Sequence, residues 1–159
     1  MNTLQQIPAE RVELRPIRPE DIAQIAVIER LCFPDPWSEG ALRLFLCEDG
    51  YAVVLCQDAR VMAYGGLLWS VDEGQIINIA VSPDSRRMGY GRRVMEALIE
   101  EAARRGCAQM SLEVRASNTP AISLYEQLGF ETAGRRKNFY THPTEDAFVM
   151  LKQLEQKVD

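Results

Sequence analysis

The 159-residue chain is 47% hydrophobic and 26% charged, a globular balance that excludes a disordered, collagenous or disulfide-scaffold protein. Its 18 basic and 23 acidic side chains give a net charge of −5, which argues against direct nucleic-acid binding and suits a basic partner. The length predicts one domain over residues 1–159, and no run approaches the ~18 apolar residues of a membrane span. Residues 11–17 alternate and predict a strand. Pro19-Glu20-Asp21 then opens a helix, with proline in its first turn and acids at the positive end of the dipole. The apolar stripe of that helix is Ile22, Ile25, Ala26, Ile28 and Leu31. Phe33-Pro34-Asp35-Pro36-Trp37 breaks it, and Ser38 caps a second short helix reaching about Leu46. Tyr51–Cys56 and Val61–Val71 read as a hairpin turning at Gln57–Arg60. Gln75–Val81 is nearly continuous in apolar residues, as in a central strand. A helix follows over Gly89–Arg105, then a strand over Ala108–Val114 and a helix over Asn118–Leu128. Phe130–Gly134 and Ala147–Leu154 read as the last strands. The order β-α-α-β-β-β-α-β-α-β-β predicts an α/β fold, a central mixed sheet flanked by about four helices.

Polar residues with no cationic flank begin the chain, so no secretory signal is expected. The four cysteines (Cys32, Cys47, Cys56, Cys107) are widely spaced without a Cys-x-x-Cys pair. They read as free packing thiols of a cytoplasmic protein. The single histidine, His142, leaves little room for a His-based metal site or a Ser-His-Asp triad and reads as a loop residue.

Two stretches carry candidate chemistry. In the first, the strand ending Ile79-Ala80-Val81 feeds the loop Arg86-Arg87-Met88-Gly89-Tyr90-Gly91-Arg92-Arg93, which opens a helix. Glycines let backbone approach a ligand, and the free N–H groups of a helix start hold phosphate oxygens. Four arginines within eight residues add cationic charge in an acidic chain. The same residues also fit a solvated basic helix start. No Walker lysine and no Gly-x-Gly-x-x-Gly fingerprint is present. In the second stretch, Leu112-Glu113-Val114-Arg115-Ala116-Ser117-Asn118, a carboxylate lies in an apolar strand and requires a partner or water. Tyr125 follows about two turns into the next helix. Glu113 and Tyr125 could flank one cleft; alternatively, Glu113 could pair with Arg115 or a neighbour, and Tyr125 could be a packed core aromatic.

Together these stretches resemble the acetyl-CoA-binding core of the GCN5-related N-acetyltransferases. Arg86-x-x-Gly89-x-Gly91 matches that superfamily's Gln/Arg-x-x-Gly-x-Gly/Ala loop, and Asn118-x-x-Ala121-x-x-Leu124-Tyr125-x-x-x-Gly129-Phe130 matches its second signature. The segments Cys32–Ser38, Asn78–Val81, Leu112–Asn118 and Glu145-Asp146-Ala147 further resemble the RimI branch, the bacterial ribosomal-protein alanine N-acetyltransferases. The likeness spans about residues 10–154.

The resemblance implies the GNAT acyl-CoA N-acyltransferase fold and acetyl-CoA as cosubstrate. The backbone of Ile79, Ala80 and Val81 would pair with the pantetheine arm, and an N–H near Val81 could stabilise the developing oxyanion. The amides of Arg87, Met88, Gly89, Tyr90, Gly91 and Arg92 would hold the pyrophosphate, and Arg86 and Asn118 would also contact the cofactor. Glu113 is implied as general base and Tyr125 as general acid, in a direct transfer that requires no metal. The implied acceptor is the N-terminal alanine of small-subunit ribosomal protein eighteen, a basic partner met by a monomeric enzyme. Trp37 and Tyr140 would line the acceptor side, within Phe33–Ser38 and Arg135–Glu145. The branch often shows Arg-Arg-Asn-Tyr-Tyr where this chain has Arg135-Arg136-Lys137-Asn138-Phe139-Tyr140, one residue longer and one hydroxyl poorer. Two other readings remain: the same fold acting on a lysine side chain or small-molecule amine, and a non-catalytic acyl-CoA-binding module.

Overall fold

The computed structural model describes residues 11–155, so the polar N-terminal stretch that argued against a secretory signal lies largely outside the described residues. The first strand, β1 (Val12–Pro16), leads through a 3-10 turn (Pro19–Asp21) into helix α1 (Ile22–Cys32). That turn is fixed by Asp21, whose carboxylate accepts from both Arg15 Nη atoms (2.8 and 2.9 Å) and from the Arg18 N–H (2.7 Å). α1 ends because Pro34 follows Phe33, and a residue before proline is excluded from helical backbone; Phe33 is extended, at φ −130. Ser38 caps α2 (Glu39–Leu42) by accepting from the Ala41 N–H at 3.1 Å. The rest of the expected second helix tightens into a 3-10 turn (Arg43–Leu46).

β2 (Gly50–Gln57), β3 (Arg60–Ser70) and β4 (Glu73–Val81) form an antiparallel meander with β1. Helix α3 (Tyr90–Arg104) crosses to β5 (Gln109–Arg115), and α4 (Thr119–Gln127) leads to the final pair, β6 (Glu131–Tyr140) and β7 (Glu145–Gln153). The seven strands lie in the order β1-β2-β3-β4-β5-β7-β6, with β4 and β5 the parallel pair. The four helices cover both faces of this mixed sheet. Val53, Leu55 and Ala63 pack towards α3, whose Val94, Met95 and Leu98 are fully buried. Val54, Cys56 and Tyr64 pack on the other face, against Ile22, Ile25 and Ala26 of α1. Burial on both faces explains the unbroken apolar runs of the central strands.

Two features of the sheet prepare the site. The β3–β4 register shifts at Gly66/Leu67, which pair with Asn78 and Ile76, so Ile77 is the extra residue of a β-bulge. Ile76 and Ile79 pack on the α3 face, while Ile77 and Ala80 pack on the α1 face. β4 and β5 then pair only over Glu73–Gln75 with Gln109–Ser111, and beyond that they part.

The structure differs from the sequence expectation at two further places. Arg135–Tyr140 is strand rather than loop, extending β6 at the sheet's edge; its residues are exposed up to Phe139 and its register breaks twice, so no alternation marks it. Leu31 is 60% exposed and does not belong to the buried stripe of α1. Glu29, at the helical spacing of Ile22, Ile25 and Ala26, is wholly buried there instead.

Candidate active site

Where β4 and β5 part, two cavities of about 280 Å³ each open side by side. The first is bounded by Ile79 of β4, Glu113 and Arg115 of β5, and Asn118 and Tyr125 of α4. The second is bounded by Trp37, Ile77 and Phe139. Glu113 and Tyr140 border both. Glu113 thus stands between the two spaces.

The loop before α3 has two left-handed residues and opens onto the helix N-terminus. Arg87 and Gly89 both adopt left-handed backbone, at φ 65 and 78, a conformation that turns successive N–H groups towards one point. A Cβ at Gly89 would meet nothing within 4 Å, so glycine serves the backbone there rather than the packing. The first intrahelical bond of this turn is Arg93 N–H to Gly89 C=O, at 3.1 Å. The preceding amides of Tyr90, Gly91 and Arg92 are therefore free of helical partners and sit at the positive end of the dipole. No acidic side chain occupies that first turn. Gly91 lies against Val81 and Leu124, whose side chains would each stand 3.8 Å from a Cβ at this position, at the mouth of the opening between β4 and α4.

The expected side chains divide by role. Tyr90 is buried in the core, so only its backbone is available to a ligand, and the Ala80 methyl is likewise packed inside. Met88 is 57% exposed. Arg86 donates to the Cys32 thiol (3.5 Å), which in turn donates to the Val81 carbonyl (3.4 Å). Arg92 pairs with Gln127 of α4. Asn118 borders the first cavity and caps α4, its Oδ1 accepting from the Ala121 N–H at 3.3 Å.

Glu113 does not pair with Arg115. Its nearest cation is Arg136 of β6, whose Nε lies 3.6 Å from Oε1. Arg115 instead donates to Glu145 (3.3 Å) and to the carbonyls of Thr141 (2.9 Å) and Pro143 (3.0 Å), and lies over the Tyr140 ring at 4.5 Å. It locks the turn between β6 and β7 beside the cavities. Glu145 also accepts from the Ser117 N–H at 2.7 Å, which, before Arg115, holds its carboxyl below the usual range. Tyr125 packs against Phe130 (6.1 Å between rings), yet it borders the first cavity, so it is both core aromatic and site residue. Burial, followed by the charge of Tyr140, pushes its phenol up to about 12. Burial and then the Glu113 charge push Tyr140 to about 12, against Arg115.

Trp37 stacks on Phe45 at 5.6 Å and also borders the second cavity, so it seals the core and walls the site together. Sequence reasoning missed Asp35. It accepts from Thr141 Oγ1 (2.8 Å) and lies 3.3 Å from His142 Nδ1, tying the two loops together over the first cavity. Its place in a Pro-Asp-Pro segment was the only signal. Among the described residues no cluster of three His, Cys, Asp or Glu side chains could hold a metal, and no helix is long and apolar enough to cross a membrane.

The acetyltransferase (GNAT) family matches residues 22–130. The chain belongs to the GNAT acetyltransferase family. It is therefore an acyltransferase, of a family that uses acetyl-CoA. Among its GNAT relatives, the [ribosomal protein bS18]-alanine N-acetyltransferase of Escherichia coli K12 is 42% identical over 125 residues, covering 77% of this chain and 84% of that one. The enzyme of the same name from Haemophilus ducreyi is 31% identical over 138 residues, covering 85% and 95%. The crystal structure of the ribosomal-protein-S18-alanine N-acetyltransferase from Escherichia coli superposes with a TM-score of 0.87 at 36% identity, covering 94% of this chain and 97% of that one. The GNAT fold expected from the sequence is the fold observed.

Proposed function

We propose that this enzyme transfers acetyl from acetyl-CoA to the α-amine of an N-terminal alanine, that of ribosomal protein bS18. The carrying observation is that one carboxylate, Glu113, borders both cavities, with Tyr125 on one side of it and Trp37 on the other. The relatives named for this reaction support the choice of acceptor. The residues present fit acetyl-CoA: a stretch of β4 free of β5, a loop with left-handed residues and a helix start carrying Arg92 and Arg93 follow one another along the chain.

Acetyl-CoA, when bound, supplies the acyl group as a thioester with a thiolate leaving group. The backbone of Ile79, Ala80 and Val81 holds the donor's arm, an N–H near Val81 polarises its carbonyl, and the amides of Arg87–Arg92 hold its diphosphate; Arg86 and Asn118 add contacts. Glu113 receives the proton of the amine as the new C–N bond forms, directly or through water. Tyr125 gives its proton to the departing sulfur as the C–S bond breaks, and a phenol at about 12 holds that proton ready throughout the neutral range. An α-amine, with pKa about 7.7–8.0, gives up its proton at pH 7.4 for roughly 0.4–0.8 kcal/mol, a lysine for roughly 4. An α-amine thus demands less of its base than a lysine does, so an α-amine acceptor suits this site better. The acceptor enters past Trp37 and Tyr140. The net charge of −5 suits a basic ribosomal protein, and we read the enzyme as one cytoplasmic, monomeric domain over residues 1–159.

Mass spectrometry of synthetic peptides incubated with acetyl-CoA tests this. Of alanine-, serine- and methionine-led peptides, each with an internal lysine, the alanine-led one should take acetate, on its α-amine. Acetate confined to Lys Nε would transfer the assignment to side-chain acetylation. Binding of acetyl-CoA without turnover on any amine would make the protein a binding module.

A further inference from the structure

Glu29 is fully buried, and the acyl-transfer mechanism makes no use of it. Its Oε1 accepts from the backbone N–H of Trp37 at 2.9 Å. Its Oε2 accepts from Asn78 Nδ2 at 3.1 Å and from the hydroxyl of the wholly buried Tyr64. Among the described residues no cation pairs with it, and burial raises its carboxyl. A carboxylate so placed is costly unless each oxygen is hydrogen-bonded, and here donors from β3, β4 and the loop after α1 converge on one group carried by α1.

The contacts close into a circuit. Asn78 pairs with Gly66 at the β-bulge. Phe45 presses on Gly66, where a Cβ would stand 2.5 Å from the ring. The Phe45 ring lies 8° from parallel to that of Trp37, and the Trp37 N–H returns to Glu29. Trp37 and Ile77, the bulged residue beside Asn78, are the two members of this assembly that border the second cavity. We propose that Glu29 is a positioning residue for the acceptor: through Trp37 and Asn78 it sets the width of the acceptor cavity, and so the size of the first residues admitted. This rests on the reading that the second cavity receives the acceptor.

Glu29→Met keeps the volume and removes the acceptor atoms, whereas Glu29→Gln keeps one carbonyl oxygen. Initial rates with an alanine-led peptide should show the peptide KM raised about tenfold in Glu29→Met, since displacements near 1 Å move rates by up to about 10²-fold. The acetyl-CoA KM should stay within about twofold, and Glu29→Gln should recover most of the loss. Acrylamide quenching of Trp37 in a Trp69→Phe background, run without any acceptor, should rise in Glu29→Met and return in Glu29→Gln. If Glu29→Met fails to fold, Phe45→Leu removes the support from the other side of Trp37 and should give the same split. Parallel rises in both KM values, an unchanged peptide KM, or unaltered quenching would overturn the proposal. If the parent enzyme acetylates no α-amine, the proposed function falls while the quenching experiment still judges Glu29.

Discussion

Two adjacent glycines of β3 should separate the donor and acceptor sides of this enzyme. Gly65 pairs with Ile79 and Gly66 with Asn78, and their missing side chains would point to opposite faces of the sheet. A Cβ on Gly65 would stand 2.5 Å from Val94 Cγ1, 2.6 Å from Ile79 Cδ1 and 2.9 Å from Leu98 Cδ1, driving α3 and the donor strand away. A Cβ on Gly66 would stand 2.5 Å from two atoms of the Phe45 ring, driving the support of Trp37 away. Carbon atoms settle at about 3.5–4.0 Å, so each alanine demands a shift near 1 Å. Overpacking of this kind costs about 1–3 kcal/mol, and the stiffer backbone of alanine returns about 0.5–1. A net loss of about 1–2 kcal/mol lowers Tm by roughly 2–8 °C in a chain of this size. Thermal melts followed by circular dichroism should show similar losses for Gly65→Ala and Gly66→Ala. Initial rates should part them: Gly65→Ala raises the acetyl-CoA KM, Gly66→Ala the peptide KM, each by about 10–10²-fold. If both substitutions raise the same constant, or both raise the two constants equally, the assignment of the two faces is wrong.

Tyr125→Phe should lower kcat by about 10²–10⁴-fold with the acetyl-CoA Kd unchanged; full activity would return Tyr125 to packing alone. Because the phenol lies at about 12, the parent rate should rise through the α-amine range of about 7.7–8.0 and show no fall from Tyr125 up to pH 10; a fall near 9 would point to another acid. Glu113→Gln should lower kcat by about 10²-fold or more while calorimetry still detects acetyl-CoA, and an unchanged kcat over pH 6–9 would remove Glu113 from the chemistry. At Asp21, burial raises the carboxyl, but the Arg15 guanidinium and the Arg18 N–H outweigh it and leave it below the usual range. Its stabilisation is therefore complete above the ordinary aspartate value near 3.9 and is lost as pH falls through the lowered one. Asp21→Ala should cost about 3 kcal/mol at pH 7 and progressively less as the pH falls below the ordinary aspartate range, read from urea midpoints.

Element order was legible because the buried strands and helices carry periodic apolar residues, and the loop before α3 was legible as a helix start through Gly89 and Gly91, though nothing in the sequence marked Arg87 as left-handed. The extension of β6 was not, since an exposed edge strand with a broken register has no stripe to read. Which neighbour faces Glu113 was not legible for a related reason: Arg136 comes from β6, which reaches β5 only across β7, and no local spacing reports that. Glu29 stood in plain view, a charge on an apolar stripe, yet its role was not legible because its donors, apart from Trp37, lie more than thirty residues away in sequence. The dual character of Trp37 and Tyr125 follows from two cavities bounded directly by core residues.

The three-residue pairing of β4 with β5 has a thermodynamic side. It is the seam between a four-stranded and a three-stranded leaf, and the amides of β4 past Gln75 lack a strand on that side. A donor molecule lying in the seam would knit the leaves, so the enzyme's resistance to unfolding should track the supply of its own substrate, gaining about 2.7 kcal/mol at a hundred times Kd. Hydrogen exchange along Ile77–Val81 would then act as a gauge of acetyl-CoA, slow in a well-fed cell and fast in a starved one.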